Sequence, residues 1–184
     1  MSTQSTSTAT ALPVILLPAL HRAAAASVSA ESAVQILRSV GVEAAQGIFE
    51  AFTRWCAAAR MDSAPVATLA EGEFWSLLSE FFATQGLGSL EHQHLHPGVI
   101  AISSSDWSEA RQGANGAGCH VATGLLAELL RIVADREVAV LEVECRSAGS
   151  DSCRFLVGSP DALETLHAHL AAGSELPQAV EALA

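Results

Sequence analysis

The chain has 184 residues, of which 50% are apolar and only 16% charged, so its length suits one domain with a buried core. This composition excludes a fully disordered chain. Nine Lys plus Arg against twenty Asp plus Glu give a formal net charge of −11. Because binding to nucleic acid or anionic lipid depends on basic surface, we expect neither partner.

The chain is expected to be cytoplasmic. Its longest apolar run, Ala11 to Leu20, is interrupted by Pro13 and Pro18 and falls short of the roughly 20 residues that a membrane helix needs. The residues before that run contain no Lys or Arg, whereas a secretory signal begins with positive charge.

The N-terminal part is predicted to precede the folded domain. Residues 1–10 are rich in Ser and Thr and lack periodicity, which predicts a disordered tail. Residues 11–30 begin with the proline-containing apolar run, which favours an extended N-terminal arm over a helix. Its apolar side chains need cover from the core of this chain or from a partner subunit.

Two helices are predicted after this arm. Apolar residues recur at helical spacing from Ala33 to Ala59. Thr68 and Glu71 fit a capping box at the start of a second helix, which runs to about Ala83. Because apolar residues cover more than half its circumference, this second helix is buried on several sides or lines a cavity.

The periodicity then changes to the alternation that is typical of strands. Pro97-Gly98 is a turn dipeptide between the first two strands, and a polar turn at 147–152 separates the last two. The four strands are predicted at 87–96, 99–103, 138–144 and 154–157.

Two more helices accompany the second hairpin. One runs from Cys119 to Ala134 after a glycine-containing loop at 113–118, and the other begins at Ser159-Pro160-Asp161, an N-cap followed by proline. We therefore predict an α+β fold in which helices pack on an antiparallel sheet. A single domain spans residues 31–172, and residues 173–184 form a C-terminal tail or a short helix.

Three of the four cysteines lie within 35 residues: Cys119, Cys145 and Cys153. If the strands around Cys145 and Cys153 pair as a hairpin, their thiols are close together. A helix that begins at Cys119 brings a third thiol nearby, and the N-terminal end of that helix favours the thiolate. Thiolates are ligands that zinc prefers. The local candidates for a fourth ligand are Glu142, Glu144 and His120.

Two other interpretations of the cysteines stay open. Seven residues separate Cys145 from Cys153, which is wider than the CxxC pair of ordinary zinc ribbons. Buried cysteines also serve as small hydrophobic residues, and an exported protein would form a disulfide.

The segment from Asp106 to Gly158 resembles the 4-vinyl reductase domain. This family includes the phenol- and xylene-sensing input domains of bacterial activators and is distantly similar to a vesicle-tethering fold. Two stretches carry the resemblance: Glu-Val-Glu-Cys-Arg-Ser-x-Gly-x-x-x-Cys from Glu142 to Cys153, and residues 107–110, which resemble a Ser-x-Glu-Ala segment. The resemblance implies a zinc site with the ligands Cys119, Glu142, Cys145 and Cys153.

Such a zinc ion would be structural, because three thiolates and one carboxylate fill a tetrahedron and leave no position for substrate. It would tie the helix start at Cys119 to the C-terminal hairpin. In a straight strand, Glu142 and Cys145 point to opposite faces. Both therefore bind one ion only if the strand twists, bulges or ends between them, and Glu144 is the rival ligand.

The resemblance also implies an apolar pocket for a small molecule, although the same aromatic residues suit a plain core. His92, His94 and His96 alternate along a strand and so share one face, which is a metal site, a pocket wall or an exposed polar face. We favour the exposed face. The candidate pocket residues are Phe74, Phe81, Phe82, His92, His94 and Trp107.

No nucleophile–base pair, phosphate-binding loop or dinucleotide motif occurs, so we expect no enzyme activity. The resemblance favours a stand-alone, zinc-stapled sensor or carrier of a small hydrophobic or aromatic ligand. We expect it to form a homodimer and to act through a partner protein. Two alternatives remain: an accessory protein of tetrapyrrole or bacteriochlorophyll biosynthesis, and a protein-interaction scaffold without ligand.

Overall fold

A computed structural model describes residues 12–61, 64–110 and 118–183. Within these residues the fold is α+β, as predicted. The predicted tail at 1–10 and nearly all of the loop at 113–118 lie outside the described residues. The elements are α1 (Leu12–Ser27), α2 (Ala30–Arg60), α3 (Glu71–Thr84), β1 (Glu91–His96), β2 (Val99–Ser104), α4 (His120–Ala134), β3 (Ala139–Glu144), β4 (Cys153–Gly158), α5 (Pro160–Ala171) and α6 (Leu176–Glu181).

The four strands form one antiparallel sheet in the order β1-β2-β4-β3. Each predicted hairpin is present, and the β2–β4 pairing joins the two. Because side chains alternate along β4, Phe155 enters the main core under α2, α3 and α4, whereas Leu156 enters a second core under α5 and α6. The sheet is thus covered on both faces.

Helices α2 and α4 make the most extensive helix–helix contact among the described residues, and two glycines permit their close approach. A Cβ atom at Gly41 would lie 2.1 Å from the carbonyl oxygen of Val121, and one at Gly124 would lie 2.1 Å from that of Arg38. No side chain fits in that space. The first turn of α4 is therefore pressed against α2.

The predicted extended arm at 11–30 is wrong, because residues 12–27 form helix α1 and α2 begins at Ala30. Pro13 lies in the first turn, where no backbone donor is needed, and Pro18 removes one interior hydrogen bond. The alanine run at 23–26 favours helix, and Ala24 packs with Leu37 and Val121. Tertiary packing thus outweighs the local effect of the prolines.

The predicted capping box at α3 is also wrong. Thr68 ends a short 3₁₀ turn, and its hydroxyl donates to the Pro65 carbonyl at 2.7 Å. The N-cap of α3 is Ala70, and its helix begins at Glu71. Near the C-terminus of the chain, residues 176–181 form the short helix α6 rather than a tail. None of the described helices combines the length and apolar character needed to cross a bilayer.

Candidate metal centre

Cys119, Glu142, Cys145 and Cys153 come together at one end of the sheet. One potential ligand atom of each lies within 4.8 Å of the others. All three cysteines are buried, and Glu142 is half-buried. Among residues 12–61, 64–110 and 118–183, this is the only group of three or more such side chains close enough to hold a metal ion.

The pairing of β3 with β4 explains why Glu142 and Cys153 face α4. Glu142 pairs with Phe155, which points into the main core, and Cys153 lies two residues before Phe155 on the same face. The start of α4 covers that face, which places the Cys119 thiol beside Glu142 and Cys153.

A β-bulge brings Cys145 to the same face. The register of β3 shifts between Glu142 and Glu144, so that Glu144 pairs with Arg154 and turns to the opposite side. The Glu144 carboxylate lies 3.6 Å from the Arg154 guanidinium, outside the cluster. The strand then ends, and Cys145 returns to the inner face. Glu142, and not its rival Glu144, is therefore the carboxylate of the cluster.

The distances within the cluster fit a tetrahedral metal ion. The sulfur atom of Cys119 lies 3.8 Å from that of Cys145 and 3.5 Å from that of Cys153. A metal–sulfur bond of about 2.3 Å gives tetrahedral edges of about 3.8 Å between sulfurs. All four cysteines are free, which argues against the disulfide interpretation.

Glu142 supplies a second indication that the cluster suits a cation. Its Oε2 accepts a hydrogen bond from the Cys119 amide at 3.3 Å, whereas its Oε1 is buried without a hydrogen-bond partner among the described residues. A buried carboxylate oxygen without a partner is costly, and a bound cation would satisfy it.

The cluster by itself favours the negative charge of Cys145 but disfavours the charges that Glu142 and Cys119 would carry as ligands. Burial raises the pKa of Glu142 to about 8. Hydrogen bonds with Cys145 and Cys153 raise the pKa of Cys119, while the thiols of Cys119 and Cys153 lower the pKa of Cys145 by hydrogen bonding to it. One thiolate is therefore stabilised by its neighbours, and further negative charge there requires a cation.

The helix turn that follows Cys119 is held by two residues outside the predicted ligand set. Glu109 is 2% exposed, and its carboxylate accepts hydrogen bonds from the amides of Val121 and Ala122 at 2.8 and 2.7 Å. His21 of α1 contacts the same carboxylate at 2.7 Å. Glu109 lies in the stretch that carries the family resemblance, whereas nothing in the sequence indicates His21.

The aromatic pocket candidates lie inside the main core. Phe74, Phe81, Phe82 and Trp107 are all buried, and the rings of Phe82 and Trp107 lie 5.8 Å apart. The Trp107 indole nitrogen is buried without a hydrogen-bond partner among the described residues. These four residues therefore belong to one aromatic cluster, with one unused donor.

The two histidine candidates lie elsewhere, on the exposed face of β1. The ring of His92 stacks on Trp75 at 5.2 Å, and His94 pairs with Glu71 at 2.8 Å. His92 and His94 are exposed, as favoured from the sequence, whereas His96 is half-buried. The six pocket candidates are thus divided between the buried core and the exposed face of β1.

An open groove of about 820 Å³ lies at the other end of the sheet, between the first turns of α3 and the end of α4. Its apolar lining includes Trp75, Ile100, Leu130 and Val133. Polar groups at the same groove include Arg136 and Asp161.

The comparisons with known proteins agree with this geometry. Residues 102–159 match the family model of the 4-vinyl reductase domain. No curated protein sequence matches the chain. The fold is similar to the phenol-responsive sensory domain of the transcription activator PoxR, solved with phenol, at 16% identity over 89% of this chain and 82% of that chain, with a TM-score of 0.58.

Two further solved structures are similar. One is trafficking protein particle complex subunit 3 from Naegleria fowleri, covalently bound to palmitic acid, at 10% identity over 79% of this chain and 93% of that chain, with a TM-score of 0.59. The other is a vinyl-4-reductase family protein from Methanocaldococcus jannaschii, at 19% identity over 78% of this chain and 91% of that chain, with a TM-score of 0.40.

The matched segment contains Glu109 and all four residues of the metal cluster. The family resemblance read from the sequence is therefore confirmed, since residues 102–159 match the 4-vinyl reductase domain.

Proposed function

We propose that this protein is a non-catalytic sensor or carrier domain, stapled by a structural zinc ion, for a small hydrophobic ligand. The observation that carries the proposal is the cluster of Cys119, Glu142, Cys145 and Cys153 within 4.8 Å, inside a fold similar to that of a phenol-responsive sensory domain. Output from a sensor of this kind would pass to a partner protein.

The ligand set favours zinc over the hard cations Mg²⁺ and Ca²⁺, because thiolates bind soft or borderline metals. When bound, zinc would neutralise the ligand charges and tie the start of α4 to the β3–β4 hairpin. Four protein ligands leave no open coordination position for water or substrate. The site therefore supports stability rather than catalysis.

We place the ligand in the groove beside Trp75. Its volume of about 820 Å³ lies within the range of roughly 300–1,000 Å³ that is common for small-molecule sites. Its lining is mainly apolar, and Arg136 offers a cation for a polar end of the ligand. The aromatic cluster at Trp107 is the alternative location, because its indole N–H has no partner among the described residues.

Elemental analysis of freshly purified protein tests the metal, and one zinc ion per chain is expected. Calorimetric titration with phenol tests the ligand. Val133→Trp should weaken phenol binding at least tenfold by filling the groove, whereas Val42→Trp, at a 41% exposed position of α2, should leave it unchanged. If Trp107→Phe weakens binding and Val133→Trp does not, the ligand lies in the aromatic cluster instead.

Other outcomes would contradict the proposal. A Soret-type absorption band in the purified protein would favour the role in tetrapyrrole synthesis. Zinc without any bound organic molecule, and without phenol binding, would favour the scaffold. Purified protein that contains no metal would contradict the proposed structural zinc ion.

A further inference from the structure

The first turn of α4 lacks a cap of its own. Cys119 occupies the N-cap position, where Ser or Asp usually accepts a hydrogen bond from the following amides. The Cys119 side chain makes no such bond, because its sulfur lies in the metal cluster. The free amides of this buried helix start need acceptors from elsewhere.

Glu109 supplies those acceptors from outside the helix. One carboxylate oxygen accepts from the Val121 amide at 2.8 Å and the other accepts from the Ala122 amide at 2.7 Å. A negative group at this end also interacts favourably with the helix dipole. The carboxylate thus fixes both the position and the direction of the turn that begins at Cys119.

His21 connects the same carboxylate to α1. Its Nε2 atom lies 2.7 Å from Glu109 Oε1, and the two residues are 8% and 2% exposed. The His21 ring also stacks on that of His120, with centroids 6.0 Å apart. The buried contact joins residues that are 88 positions apart in the chain.

We propose that Glu109 is a positioning residue for the metal ligand Cys119, and that it couples metal binding to the docking of α1 through His21. This inference rests on the proposed metal site and assigns its control to residues outside it. Because coupling between two binding events is reciprocal, metal binding should stabilise docked α1, and loss of docking should weaken metal binding by the same factor.

Zinc affinity is the first measurement, made by competition with a chromophoric chelator. Glu109→Ala is expected to lower the affinity by about 10- to 100-fold, the usual effect of removing a residue that orients a metal ligand. Glu109→Gln keeps one acceptor oxygen and should show a smaller loss. Leu166→Ala, which leaves a cavity in the second core on the far side of the sheet, is the control for general destabilisation.

Hydrogen exchange is the second measurement, and it compares α1 with α5 on the far side of the sheet, because a metal that only stabilises the whole fold slows exchange in both helices alike. In the wild-type chain, amides of α1 should exchange more slowly with zinc than after chelation, by a larger factor than amides of α5. In His21→Ala, which leaves the cap of α4 intact, that difference should shrink. Cobalt substitution adds a third signal: the d–d bands should change in Glu109→Ala and remain unchanged in Leu166→Ala.

The outcomes separate the two proposals. Wild-type protein that binds no zinc overturns the proposed function, and this inference with it. Wild-type protein that binds zinc, together with unchanged zinc affinity in Glu109→Ala, overturns the positioning role alone. Exchange in α1 that responds to zinc no more than exchange in α5 overturns the coupling. If Glu109→Ala does not fold, Glu109→Gln and His21→Ala decide the same points.

Discussion

Replacing Gly41 by alanine should force α2 and α4 apart. The new methyl group would lie 2.1 Å from the Val121 carbonyl oxygen and 2.6 Å from the Leu125 amide nitrogen. Ordinary contact begins at 3.4 Å, so the carbonyl oxygen must retreat by about 1.3 Å. The obstacle is helix backbone, which cannot rotate away as a flexible side chain would.

The expected magnitude follows from two opposing effects. Overpacking a well-packed contact costs about 1–3 kcal/mol, and alanine in place of glycine in a helix interior contributes about 1 kcal/mol of stability. Since the clash here is with backbone, we expect the upper end of the range and a net loss of about 2 kcal/mol. Gly47, in the same helix, is the matched control, because no described atom outside the neighbouring backbone of α2 lies within 4 Å of its added Cβ. Gly47→Ala should therefore stabilise the protein by about 0.5–1 kcal/mol.

Urea unfolding of the two variants measures this difference, provided that the slope of the free energy of unfolding with urea stays constant. Gly41→Ala should unfold at lower urea than the wild type, and Gly47→Ala at higher urea. Equal midpoints for the two variants would show that α2 and α4 are not in close contact. Because Val121 follows Cys119 by two positions, Gly41→Ala should also weaken zinc binding.

Three further predictions concern the metal, one carboxylate and the oligomer. At a free zinc concentration 1,000 times Kd, the metal should stabilise the wild type by about 4 kcal/mol, and Cys153→Ser should abolish this gain. Equal melting temperatures of the wild type with and without chelator would contradict a structural role of the zinc ion. Burial raises the pKa of Asp106, but the hydrogen bonds that it accepts, including those from the Ser89 amide and hydroxyl and the Ser104 hydroxyl, together lower it below its ordinary value. A carboxyl whose pKa is lowered in the folded state stabilises the protein above its unfolded-state pKa of about 3.9, and this stability is lost as the pH falls through the folded-state pKa. The urea midpoint of Asp106→Asn should therefore be lower than that of the wild type at pH 7, and the two midpoints should converge in stronger acid. Ile15 and Leu16 of α1 are 56% and 53% exposed and offer an apolar surface to a second copy of the chain. We expect light scattering to give the mass of a dimer of 19.0 kDa chains, which Ile15→Glu disrupts, and a monomeric mass for the wild type would refute the dimer.

The amino-acid sequence alone determined most of the strands, the central helices and the four residues of the metal cluster. These depend on local signals: alternation in β1 to β4, helical spacing in α2 and α4, and a ligand spacing that the family resemblance identified. The sequence also indicated that Glu142 and Cys145 can share a face of β3 only if the strand is interrupted between them. The bulge before Glu144 meets that condition.

Tertiary structure decided the features that depend on contacts between distant residues. Helix α1 forms in spite of its prolines because it packs against α2 and α4, and packing energy is not encoded in local spacing. Gly41 weakens a helix prediction when read alone, yet it is the residue that lets α4 approach. The contact of His21 with Glu109 spans 88 positions, so only the folded chain shows that the start of α4, which carries Cys119, is held by a residue of α1.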